Sequence, residues 1–240
     1  MAAARLGDVW VCLSAQPLLW LAAALAANLL GDWLYRRSGE RAAVNAVAIA
    51  VALLIGLLEA TGTAYGQYFE GAQFVHFMLG PAVVALAVPL YRNRRAIRRS
   101  LLAIAAALGA GTLTAIVSAL AIAQALGGSA RTLASLAPKS ATAPIAMGIA
   151  EQIGGLPSLT AGLVILTGIL GAVFATPLLG AFGMKDPRSN GFALGLTSHG
   201  IGTARAFQLD ETAGTFAAIA LAQAGLAVAL LAPPLMILFR

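Results

Sequence analysis

Long apolar runs separated by short polar breaks dominate this chain. Residues 9 to 35, 42 to 60, 101 to 126, 156 to 182 and 213 to 239 each approach or exceed the roughly 20 apolar residues that a helix needs to cross a bilayer. The first is expected to become helical near Pro17. Residues 74 to 91 are apolar but interrupted by Gly80, Pro81 and Pro89, and residues 191 to 206 are short and turn polar in SHGIGTAR. The pattern predicts an all-α polytopic membrane protein of about seven or eight hydrophobic segments, some of them interrupted or re-entrant.

The stretch PKSATAPIAMGIAEQI, from Pro138 to Ile153, departs most from a plain membrane helix. Pro138 and Pro144 each remove a backbone donor, which is tolerable at membrane depth only where the backbone is buried in protein or lines a cavity. Lys139 and Glu151 cannot face lipid cheaply. A broken, re-entrant segment is expected here, with Pro81, Pro89, Pro138 and Pro144 as helix breaks.

Composition narrows the class. With 60% hydrophobic and 10% charged residues and a mean hydropathy of +0.88, the chain has too little polar surface to solvate a globule. The net charge of +6 comes largely from arginines in short loops, where they report topology rather than nucleic-acid binding. Arg36, Arg37 and Arg41, then the arginines of RNRRAIRR, then Lys185 and Arg188 mark the cytoplasmic side, and the loop TGTAYGQYFEGAQ with Glu70 marks the other. Cys12 is the sole cysteine, so no intrachain disulfide or cysteine metal cluster can form. The first ten residues lack a charged leader region, so the first segment is expected to be retained.

Residues 1 to 240 read as a single transmembrane domain with repeat halves 17–126 and 127–240. Segments 42 to 60, 74 to 91 and 101 to 126 match 156 to 182, 191 to 206 and 213 to 239. If residues 138 to 153 enter and leave on the outer side, matched segments run in opposite directions and Arg240 is cytoplasmic. That is the parity of an inverted-repeat transporter, whose substrate binds near the midplane where interrupted helices meet.

Two constellations suit a small anion. In PKSATAP, Lys139 offers a compact positive charge, Ser140 and Thr142 offer hydroxyls, and a helix beginning there offers free backbone donors. In SHGIGTAR, Gly200 and Gly202 permit close backbone approach, while Ser198, His199, Thr203 and Arg205 supply polar groups. Glu151 is a candidate partner for Lys139 or Arg205, and Glu151 and His199 are candidate proton carriers. Each has a simpler alternative. Lys139 can snorkel to the interface, His199 can bond a neighbouring carbonyl, Arg205 can anchor a segment end, and His76 reads as structural.

No enzyme is expected. Ser198 and His199 are adjacent on the chain and point apart on a helix, and no metal-ligand spacing such as H-E-x-x-H occurs. The glycines of GIGTA lack the strand and helix of a dinucleotide fold.

The runs FMLGPAVVALAVPLY, LAPKSATAPIAMGIAEQIGGLPSLTAGLVILTGILGA and DPRSNGFALGLTSHGIGTARAF resemble the LrgB/CidB family of bacterial inner-membrane proteins, over about residue 17 to the end. Members often carry threonine at the position of Ala143 and proline at that of Ala46. The first departure removes one hydroxyl and leaves Ser140 and Thr142 in its place. The resemblance implies one of two roles. One is holin-like or antiholin-like control of murein hydrolase export and lysis with a small LrgA/CidA-type partner. The other is carriage of small carboxylates, as in the similar domain of the plastid glycolate and glycerate translocator. The grouped polar residues favour a multi-pass carrier of monocarboxylates such as pyruvate, glycolate or lactate in the bacterial inner membrane. A proton or sodium ion is the expected coupling ion, without cofactor or metal. Small residues make a homodimer plausible.

Overall fold

The structure, a computed structural model, describes residues 17–41, 44–85, 87–92 and 94–239. The start of the first segment, Cys12 and Arg240 lie outside the described residues, as does the side chain of His76. Every regular element among the described residues is helical, as expected of backbone that must satisfy itself away from water. Four helices are long and apolar enough to cross a membrane. The chain divides into two compact units, one ending at Ala85 and the other continuing from there.

The first unit holds α1 (Pro17–Arg37), α2 (Ala46–Thr61) and α3 (Tyr65–Ala85), with α1 packed on both others. Arg36 and Arg37 close α1, and cations there complement the helix dipole. Asn45 caps α2 by accepting from the Ala48 amide at 2.9 Å. Glycines let the backbones touch: a Cβ on Gly31 would strike the Ala46 carbonyl oxygen, and one on Gly71 the Pro17 carbonyl oxygen.

Two expectations change in this unit. Most of the polar stretch before residue 74 is the start of α3 rather than a loop. Its aromatics occupy one side of the first turns: Tyr65 stacks on Phe69 with centroids 5.8 Å apart, and Tyr68 meets Trp20 edge-on at 6.1 Å. Pro81 does not end its helix, which runs on to Ala85. A proline costs a membrane helix one donor, and neighbouring groups can re-satisfy the freed carbonyl.

The second unit begins with the short helices α4 (Ala87–Arg92, containing Pro89) and α5 (Arg94–Arg99), then α6 (Leu101–Ala125). Next come α7 (Ala130–Leu136) and α8 (Ala143–Gln152), then α9 (Pro157–Ala181), α10 (Pro187–Leu209) and α11 (Glu211–Ile237). Between α7 and α8 the chain turns through buried Pro138 and Ala141. The end of α8 returns beside α7, where the Leu156 amide donates to Ser135 Oγ at 2.8 Å. Residues 130 to 152 therefore form hairpin 1, the re-entrant element anticipated from the prolines.

The segment 191 to 206 does not cross. His199 has φ 41° and ψ −128°, the conformation of the first central residue in a type II′ turn, which reverses a chain. The reversal is visible in packing. A Cβ on Gly202 would meet the Leu194 carbonyl oxygen, far closer than one straight helix allows. Glycines 191 and 195 lie against the carbonyls of Ala213 and Ala217 respectively, so the first arm of α10 and α11 run parallel. Residues 187 to 209 are hairpin 2, and its second arm returns alongside both, with Gly202 against Leu194 and Phe207 against Gly214.

This corrects the topology expected of the last two segments. Ile104 near the start of α6 clusters with Phe192, Phe216 and Ile219. Ile116 and Leu120, further along α6, cluster with Leu133, Val164, Val228 and Met236. The helix α11 thus begins on the side of the arginine cluster and ends on the opposite side.

Within the second unit, a long helix followed by a hairpin occurs twice. The helices α6 and α9 each have 25 residues, and each leads into a hairpin, the second of 23 residues from Pro187 to Leu209 and the first of equal length from Ala130 to Gln152. Ser129 caps hairpin 1 as Asp186 caps hairpin 2. The two units of span plus hairpin enter from opposite sides, an inverted repeat.

Candidate functional site

The hairpin tips are the points where the backbone of this protein is least like a continuous helix, and both reach the interior. At tip 2, His199 is buried with 6% exposure and its Nε2 lies 2.8 Å from the Val164 carbonyl oxygen on α9. A carbonyl only accepts, so Nε2 carries the proton and the lone pair of the neutral ring is on Nδ1. Gly168 makes room for the imidazole, since a Cβ there would sit 2.6 Å from Cε1. Gly171 does the same for the Ser198 hydroxyl. Thr203 Oγ1 donates to the His199 carbonyl at 2.8 Å and holds the turn.

At tip 1, Ser140 is buried and Lys139 half-buried, the Lys139 Nζ donating to Ser140 Oγ at 3.4 Å. Thr142 is the N-cap of α8, yet its side chain makes no capping bond. The Thr142 hydroxyl and the first-turn amides of α8 therefore remain as donors. Pro144 sits in that first turn, where a proline opens a helix instead of breaking it.

Two observations bring the tips together. Val164, which receives His199, belongs to the same buried cluster as Ala137, Ala141 and Ala146 of hairpin 1. Both tips also reach the middle of α11: Gly195 sits against Ala217, which puts His199 one turn further along, and Ile145 sits 2.8 Å from where a Cβ on Gly225 would be. The first amides of α8 and of the second arm of α10 converge on this region. Gly200 opens that arm and is exposed, while Gly202 is buried against the first arm.

Between those two levels of α11 stands Gln223, whose Oε1 is buried without a hydrogen-bond partner. The sequence reading passed over it, although a lone glutamine in an apolar run of α11 was the available signal.

Two expected members lie elsewhere. Glu151 is exposed near the end of α8, at the base of hairpin 1, and no ion pair among the described residues includes it. Arg205 is partly buried on the returning arm of hairpin 2, towards its base, and donates to Gln208 Oε1 at 3.4 Å. Their side chains belong to opposite ends of the molecule, which is why they do not pair. No group of three metal-ligating side chains occurs among the described residues.

A cavity of about 560 Å³ leads towards tip 2 from the arginine side, lined by Ile104, Ala107, Gly111, Phe192, Leu196 and Thr197. Thr197 Oγ1 lies 3.2 Å from Ser198 Oγ, so the cavity ends against the tip. At its mouth, hydrogen bonds from Arg188 hold the Asp186 carboxyl below the usual carboxylate range.

The backbone of His199 gives a direct test. A non-glycine residue at such a φ costs about 1–3 kcal/mol, which His199→Gly relieves and His199→Ala does not. Both lose the bond to Val164, so the glycine variant is expected to melt above the alanine variant in detergent.

Long spans alternating with half-length hairpins define a multi-pass, all-helical membrane protein with a polar interior where the hairpin tips meet. The chain belongs to the LrgB-like family, whose family model matches residues 24–238. It is 34% identical over 193 residues to the uncharacterized protein YwbG of Bacillus subtilis, covering 80% of this chain and 86% of that one. It is 31% identical to the holin-like protein CidB of Staphylococcus epidermidis, covering 82% and 86%. It is 28% identical to the antiholin-like protein LrgB of Bacillus subtilis, covering 91% and 94%. No solved structure matches the chain.

Proposed function

We propose that this protein is a secondary transporter of small monocarboxylates in the bacterial inner membrane, binding its substrate between the two hairpin tips. The observation that carries this reading is that Val164, which receives His199 of tip 2, also packs against Ala137, Ala141 and Ala146 on either side of Lys139 and the start of α8. Half-helix N-termini direct partial positive charge at an anion, and Lys139 adds a full one. Ser140 and Thr142 are the candidates for the remaining polar atoms, and Gln223, at the same level of α11, is a further one. If the coupling ion is a proton, Nδ1 of His199 is the atom that takes it up, because Nε2 is committed to Val164.

A second reading rests on the names of the relatives. CidB and LrgB are named holin-like and antiholin-like, and these names favour a role in lysis control with a small LrgA/CidA-type membrane partner. A homodimer is compatible with either reading.

Liposomes holding this chain alone, with labelled pyruvate, glycolate or lactate outside and an imposed proton or sodium gradient, distinguish the two. Saturable uptake that follows one gradient is the expected result. Gln223→Leu is expected to lower apparent affinity about 5- to 10-fold through one lost buried hydrogen bond. Dye leakage that appears only after a small partner is added, without substrate uptake, supports the second reading instead.

A further inference from the structure

The two span-plus-hairpin repeats are equal in length but unequal in state. On the arginine side, a cavity lined by α6 and the first arm of hairpin 2 reaches Thr197, although Ile104, Phe192 and Leu196 already pack together along it. On the opposite side, α9 and hairpin 1 are shut together, and the contact runs through Ser135, which has 0% exposure. Ser135 Oγ accepts from the Leu156 amide at 2.8 Å, and the Ser135 carbonyl accepts from Thr160 Oγ1 at 2.9 Å. Gly155 closes the same joint, with room for a Cβ only 2.8 Å from the Ser135 amide nitrogen.

Counting from the starts of the paired elements, Leu101 with Pro157 and Ala130 with Pro187, sets these regions in register. Ile104 falls on Thr160, Ala107 on Leu163 and Phe192 on Ser135. The residues that line the open cavity therefore correspond to the residues that form the closed joint. The mouths correspond too, with Arg188 behind the Asp186 cap and Arg131 behind the Ser129 cap. The tips match as well, His199 falling on Thr142.

We infer that the protein has a second access cavity, closed here, between α9 and the first arm of hairpin 1, and that Ser135 is the latch that holds it shut. The inference rests on the transport reading and deepens it. The open cavity serves substrate from the arginine side. When α9 parts from hairpin 1, the bonds from Leu156 and Thr160 to Ser135 break, and a cavity lined by Thr160, Leu163 and Ser135 exposes tip 1 to the other side. The open cavity beside Ala107 and Thr197 closes in the same movement. Two packings of one repeated unit exchange roles, which is how an inverted repeat alternates access without moving its binding residues far.

The test reads water access and needs no substrate. In a Cys12→Ser background, Ala107→Cys and Leu163→Cys are made singly and treated with a membrane-impermeant maleimide from each side of sealed vesicles, since a thiol facing lipid or packed protein does not react. The Ala107 position is expected to label from the arginine side, and the Leu163 position slowly from the other side. Adding Ser135→Ala is expected to raise labelling at Leu163→Cys about fivefold, the effect of one hydrogen bond, and to lower it at Ala107→Cys. Thr160→Val removes the other bond, leaves Ser135 intact and is expected to act in the same direction. Unchanged labelling in both latch variants, or labelling that rises at both cysteines together, overturns the inference. Because uptake is measured separately, loss of this reciprocity with intact uptake indicts the latch, and reciprocity without uptake indicts the transport reading.

Discussion

Lys139→Met is expected to weaken binding of a small carboxylate by about 10- to 100-fold while leaving the protein folded, or even raising its melting temperature. The ammonium is half-buried, its hydrogen bond goes to a serine hydroxyl at 3.4 Å, and no carboxylate among the described residues pairs with it. A hydrogen bond to a charged group contributes about 1.5–3 kcal/mol, which sets the size of the loss. A buried ammonium without a counter-ion destabilises the empty protein, so its removal relieves an electrostatic cost. The two signs together separate a ligand-facing lysine from a structural one, whose loss would lower stability without touching affinity. Lys139→Arg keeps the charge but spreads it over a planar fork and is expected to recover only part of the binding. Thermal unfolding with and without lactate measures both quantities on the same samples.

Gly195→Leu is expected to abolish the folded protein. The first arm of hairpin 2 and α11 meet backbone to backbone at Gly191 with Ala213 and at Gly195 with Ala217, and a Cβ at either glycine would overlap the facing carbonyl. Between membrane helices such contact replaces the hydrophobic drive that water supplies elsewhere. Even alanine at Gly195 forces the backbones apart, at about 1–3 kcal/mol. Leucine adds a branched side chain to a joint without space for it. Gly162→Leu is the matching control, because nothing lies within 4 Å of a Cβ built there. The monodisperse fraction after detergent extraction is the readout, expected near zero for Gly195→Leu and near the parent value for Gly162→Leu.

Much of the architecture was legible in run length and in proline. The long apolar runs correspond to α1, α6, α9 and α11, and the prolines with Lys139 marked hairpin 1 because charge and missing donors have few homes in a bilayer. Hairpin 2 was not legible as a hairpin. It has no proline at its turn, and its reversing conformation falls on His199, whereas sequence reasoning places positive φ on glycines such as Gly200. That single residue then reversed the direction inferred for α11. The likeness of the two span-plus-hairpin segments was hidden for a second reason: they share length, cap positions and mouth arginines, while packing and depth constrain the intervening residues only to be small or apolar. Of the candidate site, Lys139, Ser140, Thr142, Ser198 and His199 come together, because all sit at breaks that fold inward. Glu151 and Arg205 lie on regular helix well away from the breaks, where nothing in spacing alone says how deep they sit.

The parallel packing of α11 on hairpin 2 bears on how the protein is made. Val228, Ala232 and Met236 complete the cluster that receives Leu133 and Ile149 of hairpin 1, and they follow both hairpins along the chain. Neither hairpin spans the bilayer, and each would present unsatisfied tip amides to lipid if released alone. Each therefore depends on α11 for a surface that shelters it. A chain cut before Val228 is expected to leave hairpin 1 without that surface and to become a target for membrane proteolysis.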